Sequence, residues 1–211
     1  MKELLESLLD EKAPGPFLSF SIFHLIKALE LIATNYPIGR GRLSEELGIG
    51  EGAIRTVVER LRNAGLITVS KQGCLPTEKG EKIWSKMQRL FPQKARLKPN
   101  KLAVAACNVA IRVRGCGDKI RSGLEQRDAA LLAGAKGAMT LFFRQGRLIL
   151  PTISEDVRQD YPDAFRHFTE RLQLEENDVI VVGSADTWDK AEYGALAAAW
   201  SLIDNDGSSR S

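Results

Sequence analysis

Histidine and cysteine are scarce in this chain, with two of the first (His24 and His167) and three of the second (Cys74, Cys107 and Cys116). An odd cysteine count at wide spacing is no disulfide framework. No pair of Cys or His has metal-ligand spacing, so neither a metal nor a cofactor is expected. Long apolar runs are missing as well: none approaches the roughly 20 residues of a membrane span. The opening Met-Lys-Glu-Leu-Leu-Glu carries acids where a signal peptide needs a basic and then an apolar region. A Ser-centred nucleophile motif, the G-x-G-x-x-G spacing and the P-loop are all absent. What remains is ordinary globular composition, 44% apolar and 27% charged over 211 residues, a length comfortable for two domains. The expectation is a soluble cytoplasmic protein with no membrane partner.

Charge is nearly balanced overall, at +3, but unevenly spread. Residues 1–96 hold 15 Lys/Arg against 11 Asp/Glu. From Arg89 to Arg121 there are nine bases and one acid, Asp118, whereas from Leu148 to Ser211 five bases face thirteen acids. Such a distribution allows a polyanion to bind one region only; a solvated surface without a partner is the alternative.

The first half reads as helices around a tight turn. Within Phe17–Tyr36, the residues Ile22, Leu25, Ile26, Leu29 and Ile32 follow the spacing of a buried helical stripe. After Pro37–Gly41, Ser44 stands as an N-cap before Glu45 and Glu46 and opens a short helix through Leu47. Gly48-Ile49-Gly50 breaks it. A third helix is expected over Glu51–Ala64, with Ile54, Val58 and Leu61 inward and Gly65 closing it. Leu66–Ser70, a turn at Lys71-Gln72-Gly73 and Cys74–Pro76 predict a β-hairpin, and Thr77 caps a following helix carrying Ile83, Trp84, Met87, Leu90 and Phe91. Helix, helix-turn-helix, hairpin, helix is the winged-helix order.

The run RLSEELGIGEGAIRTVVERLRNAGLITVSKQGCLPTEKG resembles the winged helix-turn-helix of bacterial and archaeal transcription regulators, MarR-like and ArsR-like families among them, over about residues 17–92. Those families step from the recognition helix into the wing through a "GLI" and follow the wing with an "LTEKG", here PTEKG. The whole arrangement is also similar to an uncharacterised archaeal family of winged-helix proteins with a C-terminal domain of unknown function. The resemblance implies double-stranded DNA as partner. In the groove, Glu51, Gly52, Arg55 and Thr56 would face base edges, Arg55 as a bidentate guanine reader. Arg40 and Arg42 flank the second helix, and Lys71 and Gln72 form the wing tip. A protein-docking winged helix remains the alternative, supported by Glu51 and Glu59 on the same face.

The fold class expected is α/β (α+β overall): a winged-helix domain over residues 1–92, a basic linker over 93–101 bounded by prolines, and a compact α/β domain over 102–206 in the order β-α-β-β-α-β-α. Leu102–Val113 reads as a strand buried on both faces, and Ser122 with Glu125 as a capping box. Between them, Arg114, Gly115, Cys116, Gly117, Asp118 and Arg121 are the candidate site for a small anionic effector, because glycine loops ahead of a helix offer backbone N–H groups to anions. The alternative is a tight turn with surface arginines. A second glycine loop, 183–187, would join it if strand ends gather at one edge, and an enzyme with its active site there is the competing function. Cys107 and Cys74 read as packing residues, and Cys116 as packing or a reactive thiol; His24 is expected half-buried and His167 exposed. The Leu4, Leu5, Leu8, Leu9 stripe needs a cover, either a second copy in a homodimer or its own domain.

Overall fold

The helical stripe predicted in the first half forms in the computed structural model, which describes residues 1–10, 19–103 and 105–203. Phe17, Leu18, Val104 and residues 204–206 of the predicted segments lie outside the described residues. Two units divide the chain, Met1–Met87 and Gln88–Ile203.

In the first unit α1 (Lys2–Asp10) is followed by α2 (Ile22–Thr34), α3 (Arg40–Leu47) and α4 (Glu51–Asn63). The hairpin β1 (Ile67–Ser70) and β2 (Gly73–Pro76) leads into α5 (Glu78–Leu90). His24 is half-buried and accepts the Ser21 backbone N–H at 3.0 Å, closing the start of α2. One expectation is corrected. Helix α3 begins four residues before Ser44, with Gly39 as N-cap, because Leu43 and Leu47 are both fully buried and must share one face of one helix. Ser44 sits inside that helix, where its hydroxyl donates to the Ile49 carbonyl at 2.6 Å. The N-terminal leucine stripe finds its cover in its own unit, where Leu5 and Leu8 are buried. Arg60 of α4 holds α1 in place: its buried guanidinium donates to the Leu8 and Leu9 carbonyls, the second at 3.2 Å, and lies 5.3 Å from the Phe20 ring centre.

The PTEKG run has a mechanical meaning here. Thr77 donates its hydroxyl to the Gly65 carbonyl at 2.6 Å and accepts the Gly80 N–H at 3.1 Å, capping α5. Its backbone N–H donates to the Leu66 carbonyl, and the Lys79 ammonium donates to the Ala64 carbonyl at 2.7 Å. A Cβ at Gly80 would stand 2.0 Å from the Leu66 carbonyl oxygen. Three consecutive carbonyls past the end of α4 are thus taken up by the first turn of α5. Ile38 adds a rung to the hairpin by exchanging backbone hydrogen bonds with Cys74.

The second unit is a five-stranded antiparallel sheet ordered β3-β4-β7-β5-β6. Its elements are β3 (Gln93–Leu97), β4 (Cys107–Val113), α6 (Leu124–Leu132), β5 (Gly137–Arg144), β6 (Arg147–Ile149), α7 (Val157–Asp160), α8 (Pro162–Arg171), β7 (Val179–Ala185) and α9 (Trp188–Ser201). Helices α6 and α9 cover one face. On the other, Ala110, Leu141, Ile180 and Val182 pack with Val157, Ala164 and Phe168 of α7 and α8. Cover on both faces explains why β4 is buried throughout and reads as a continuous apolar run.

The expected linker 93–101 is corrected, since its first half is the edge strand β3, paired with β4 from Gln93–Arg112 to Leu97–Asn108. Its bases guard that edge: Lys94 reaches Glu192 at 2.5 Å and Arg96 stacks 4.6 Å from the Trp188 ring centre. The capping box is corrected too. Gly123 is the N-cap of α6, and Ser122 reaches only the Leu124 N–H at 3.4 Å. His167 is half-buried rather than exposed, with its Nδ1 shielded from solvent and unpaired. Gly183 and Ser184 are strand residues rather than a loop, paired with Val109 and Asn108. A Cβ at Gly183 would fall 2.3 Å from the Ala191 carbonyl oxygen, so glycine lets α9 lie against β7.

Gly80→Ala and Gly183→Ala are each expected to cost about 1–3 kcal/mol by overpacking against backbone. Gly52→Ala, exposed and with open space around its Cβ position, should be neutral or stabilise by up to about 1 kcal/mol. Urea midpoints of the three variants check this, and equal effects would contradict the close approaches.

Candidate nucleic-acid interface

Helix α4 turns Ile54, Val57, Val58 and Leu61 into the core, which leaves the other side free. Glu51, Gly52, Arg55 and Glu59 are exposed on it and Thr56 is half-buried, its hydroxyl donating back to the Gly52 carbonyl at 3.3 Å. Arg62 and Asn63 are exposed further along the helix, two polar groups the sequence reading left out. Arg40 and Arg42 stand in the first turn of α3, not beside it, and Arg42 lies 3.9 Å from Glu46. At the wing tip Lys71 and Gln72 are exposed, and Ser70 shapes the turn by accepting the Gln72 N–H at 3.1 Å and donating to the Gly73 carbonyl.

Both helices of the pair start at glycines, Gly39 and Gly50, and neither N-cap makes a side-chain cap hydrogen bond. Their first-turn N–H groups are therefore left to an outside acceptor, and the helix dipole favours an anionic one. The surface so formed offers uncapped N–H groups, five exposed cations (Arg40, Arg42, Arg55, Arg62 and Lys71) and an exposed helix face. Its acids, Glu51 and Glu59, argue against indiscriminate polyanion binding and leave room for selective contacts. Burial, with Arg40 opposing it, pushes the Cys74 thiol above its ordinary pKa behind this surface, as fits a packing residue.

The loop after β4 is arranged otherwise than a ligand site. Arg112 is 3% exposed and Asp178 1%, and Arg112 Nε donates to Asp178 Oδ2 at 2.6 Å. The remaining guanidinium nitrogens reach Glu175 at 2.9 Å and Gln93 at 3.3 Å. Asp178 also accepts the Gly115 N–H at 3.2 Å and the Glu175 N–H at 2.8 Å, while the Gly117 N–H goes to the Asn177 carbonyl at 2.8 Å. The carboxylate that the glycine loop was expected to draw from solution is supplied by the chain. Arg114 faces Glu175 at 3.5 Å, Asp118 pairs with Arg144, and Lys119 donates to the Leu202 carbonyl at 2.8 Å. Cys116 and Gly117 are buried, while Arg114, Gly115, Asp118 and Arg121 are exposed.

The second glycine stretch does not meet the first. Neighbours β4 and β7 run antiparallel, Val113 opposite Val179 and Cys107 opposite Ala185, so loops 114–121 and 185–187 leave opposite ends of the sheet. Among the described residues no group of three or more His, Cys, Asp or Glu could hold a metal ion. No described helix is long and apolar enough to cross a membrane.

Comparison with known proteins finds two family matches along the chain. Residues 23–91 match the family described as CggR N-terminal DNA binding domain. Residues 104–202 match a domain of unknown function, DUF4443. Among solved structures the chain is similar to the hypothetical protein PH0730 from Pyrococcus horikoshii OT3, at 26% identity and a TM-score of 0.69, covering 87% of this chain and 93% of that one. No curated protein matches.

Asp178→Ala would leave Arg112 buried without its main partner, an expected loss of about 3–5 kcal/mol. A pH dependence follows from Glu175. Its hydrogen bond and charge contact with Arg112, and then the charge of Arg114, hold its carboxyl below the ordinary glutamate range. A carboxyl depressed in the folded state adds stability that is present above its unfolded pKa of about 4.3 and fades as pH falls through the lower folded value. Glu175→Gln should therefore be less stable than the native chain near neutral pH, with the gap closing below about pH 4. Urea midpoints at both pH values test it; a gap that persists in acid would contradict the assignment.

Proposed function

We propose that the chain is a sequence-specific, double-stranded-DNA-binding transcription regulator whose first unit reads DNA and whose second mediates assembly. The observation that carries the reading is the exposed face of α4, opening at an uncapped glycine start beside the equally uncapped start of α3. Phosphates are the acceptors such ends suit best. The match of residues 23–91 to a DNA-binding domain supports the same reading independently. In it, α4 enters the major groove, Arg55 reads a base edge and the wing's Lys71 neutralises a phosphate. Arg40 and Arg42 bracket the backbone from the start of α3.

Recognition of a small anion at residues 114–121 is not part of this proposal, because the Gly115 and Gly117 N–H groups already have acceptors. An active site shared by the stretches 112–128 and 183–189 would need two ends of the sheet to meet, and it is set aside as well. A protein-docking role for the winged helix is the second reading, favoured by the exposed Glu51 and Glu59.

Selection from a random duplex library, followed by titration at several salt concentrations, tests the proposal. Arg55→Ala should lower discrimination between the selected site and unrelated DNA by about 1–3 kcal/mol. Lys71→Ala should weaken all sequences alike and reduce the salt slope by about 1. Failure to enrich any sequence, or an Arg55→Ala chain as selective as the native one, would favour protein docking instead.

A further inference from the structure

Of the five large apolar side chains that the second unit leaves exposed among the described residues, three gather on one short helix, Ile153 and Trp188 standing elsewhere. On α6, Leu124 is 51% exposed, Leu131 45% and Leu132 92%. The helix itself is firmly seated. Its opposite side buries Gln126 and Ala130, Gln126 donates to the Ser201 hydroxyl at 3.3 Å, and Ala130 lies under Gly194 of α9. The leucines are therefore held outward by a fixed platform. At 3.6 residues per turn, Leu124, Asp128, Leu131 and Leu132 share the outer face.

Their order is close to a palindrome about Asp128, with Leu124 four residues before it and Leu131 and Leu132 three and four after. A twofold axis through Asp128 sets Leu124 of one helix against Leu132 of an antiparallel copy, which is the self-matching that an isologous contact requires. Charge agrees. Arg127 and Asp128 pair with each other at 2.9 Å in the middle of the stripe, so two copies meet there without net repulsion, and each arginine can also reach the other copy's aspartate.

We propose that α6 is a homodimer interface, its occupant the α6 of a second copy packed antiparallel about Asp128. This rests on the DNA-reading proposal only for its purpose, since two joined winged helices can occupy two half-sites. One helix pair of nine residues buries less than the roughly 1,200–2,000 Å² of a standard stable interface, so the dimer is expected to form and dissociate in the micromolar range.

Sedimentation velocity of the full chain without DNA, from about 1 to 100 µM, tests it, together with oxidative cross-linking. The native chain should move from the mass of one chain to that of two across this range, and Leu132→Glu, at a site already exposed, should stay at one. Asp128→Arg should also stay at one, and Arg127→Asp combined with Asp128→Arg should restore the dimer. Asp128→Cys places a thiol at the axis, so oxidation should join two chains, whereas Glu155→Cys, on an exposed loop, should not. A native chain of single mass at every concentration overturns the proposal. So does a dimer that ignores Leu132→Glu and fails to cross-link through position 128. Dimerisation through α6 by a chain that selects no DNA would leave this interface standing and remove the DNA reading.

Discussion

The recognition surface depends on how the last carbonyls of α4 are taken up. A helix end in a protein's interior must find donors for those groups. Here the Ala64, Gly65 and Leu66 carbonyls receive the Lys79 ammonium, the Thr77 hydroxyl and the Thr77 N–H. The hairpin between them is therefore fixed at its base on both sides, by α4 where it leaves and by α5 where it returns. Gly80 completes the contact by having no Cβ to strike the Leu66 oxygen. Because the wing and the exposed face of α4 are set by the same few hydrogen bonds, the loss of any one would disturb both together. One turn earlier in α4, Arg60 ties the helix to the end of α1 with a cation at a helix C-terminus.

In the second unit the corresponding role falls to Asp178. One buried carboxylate accepts from the Arg112 side chain, the Gly115 N–H and the Glu175 N–H, joining the end of β4 to the start of β7. Burial alone would disfavour the Arg112 cation, and its bonds to Glu175 and Asp178 outweigh that and raise its pKa. A pair of this kind adds little net stability compared with apolar packing, but it penalises any register in which the partners separate. It also consumes the donors that make the glycine loop look like an anion site.

Helices α2 and α4 and the wing were legible because period-3.6 stripes and glycine turns are local signals. The same local reading failed where two signals competed. Ser44 has the chemistry of an N-cap, yet burial of both Leu43 and Leu47 draws the helix start back to Gly39. Proline and lysine at 92–101 look like a linker, yet Gln93, Ala95 and Leu97 alternate inward as an edge strand does. Strand direction was invisible, so whether the loops after β4 and β7 converge was left open, and the antiparallel pairing of the two strands sends them to opposite ends. Of the candidate residues, those on α3, α4 and the wing share one unit and are exposed or half-buried. The 114–121 set is largely engaged within its own unit, because Asp178 is distant in sequence and nothing local announces it.

On the proposed reading the first unit meets DNA through the starts of α3 and α4 and the wing tip. Amide chemical-shift mapping of the full chain, titrated with a duplex taken from selection, tests it most directly. The largest shifts are expected at Gly39–Arg42, Gly50–Thr56 and Lys71–Gly73, with those of β4 and β7 unchanged. Shifts confined to the second unit, or none at saturating duplex, would contradict it.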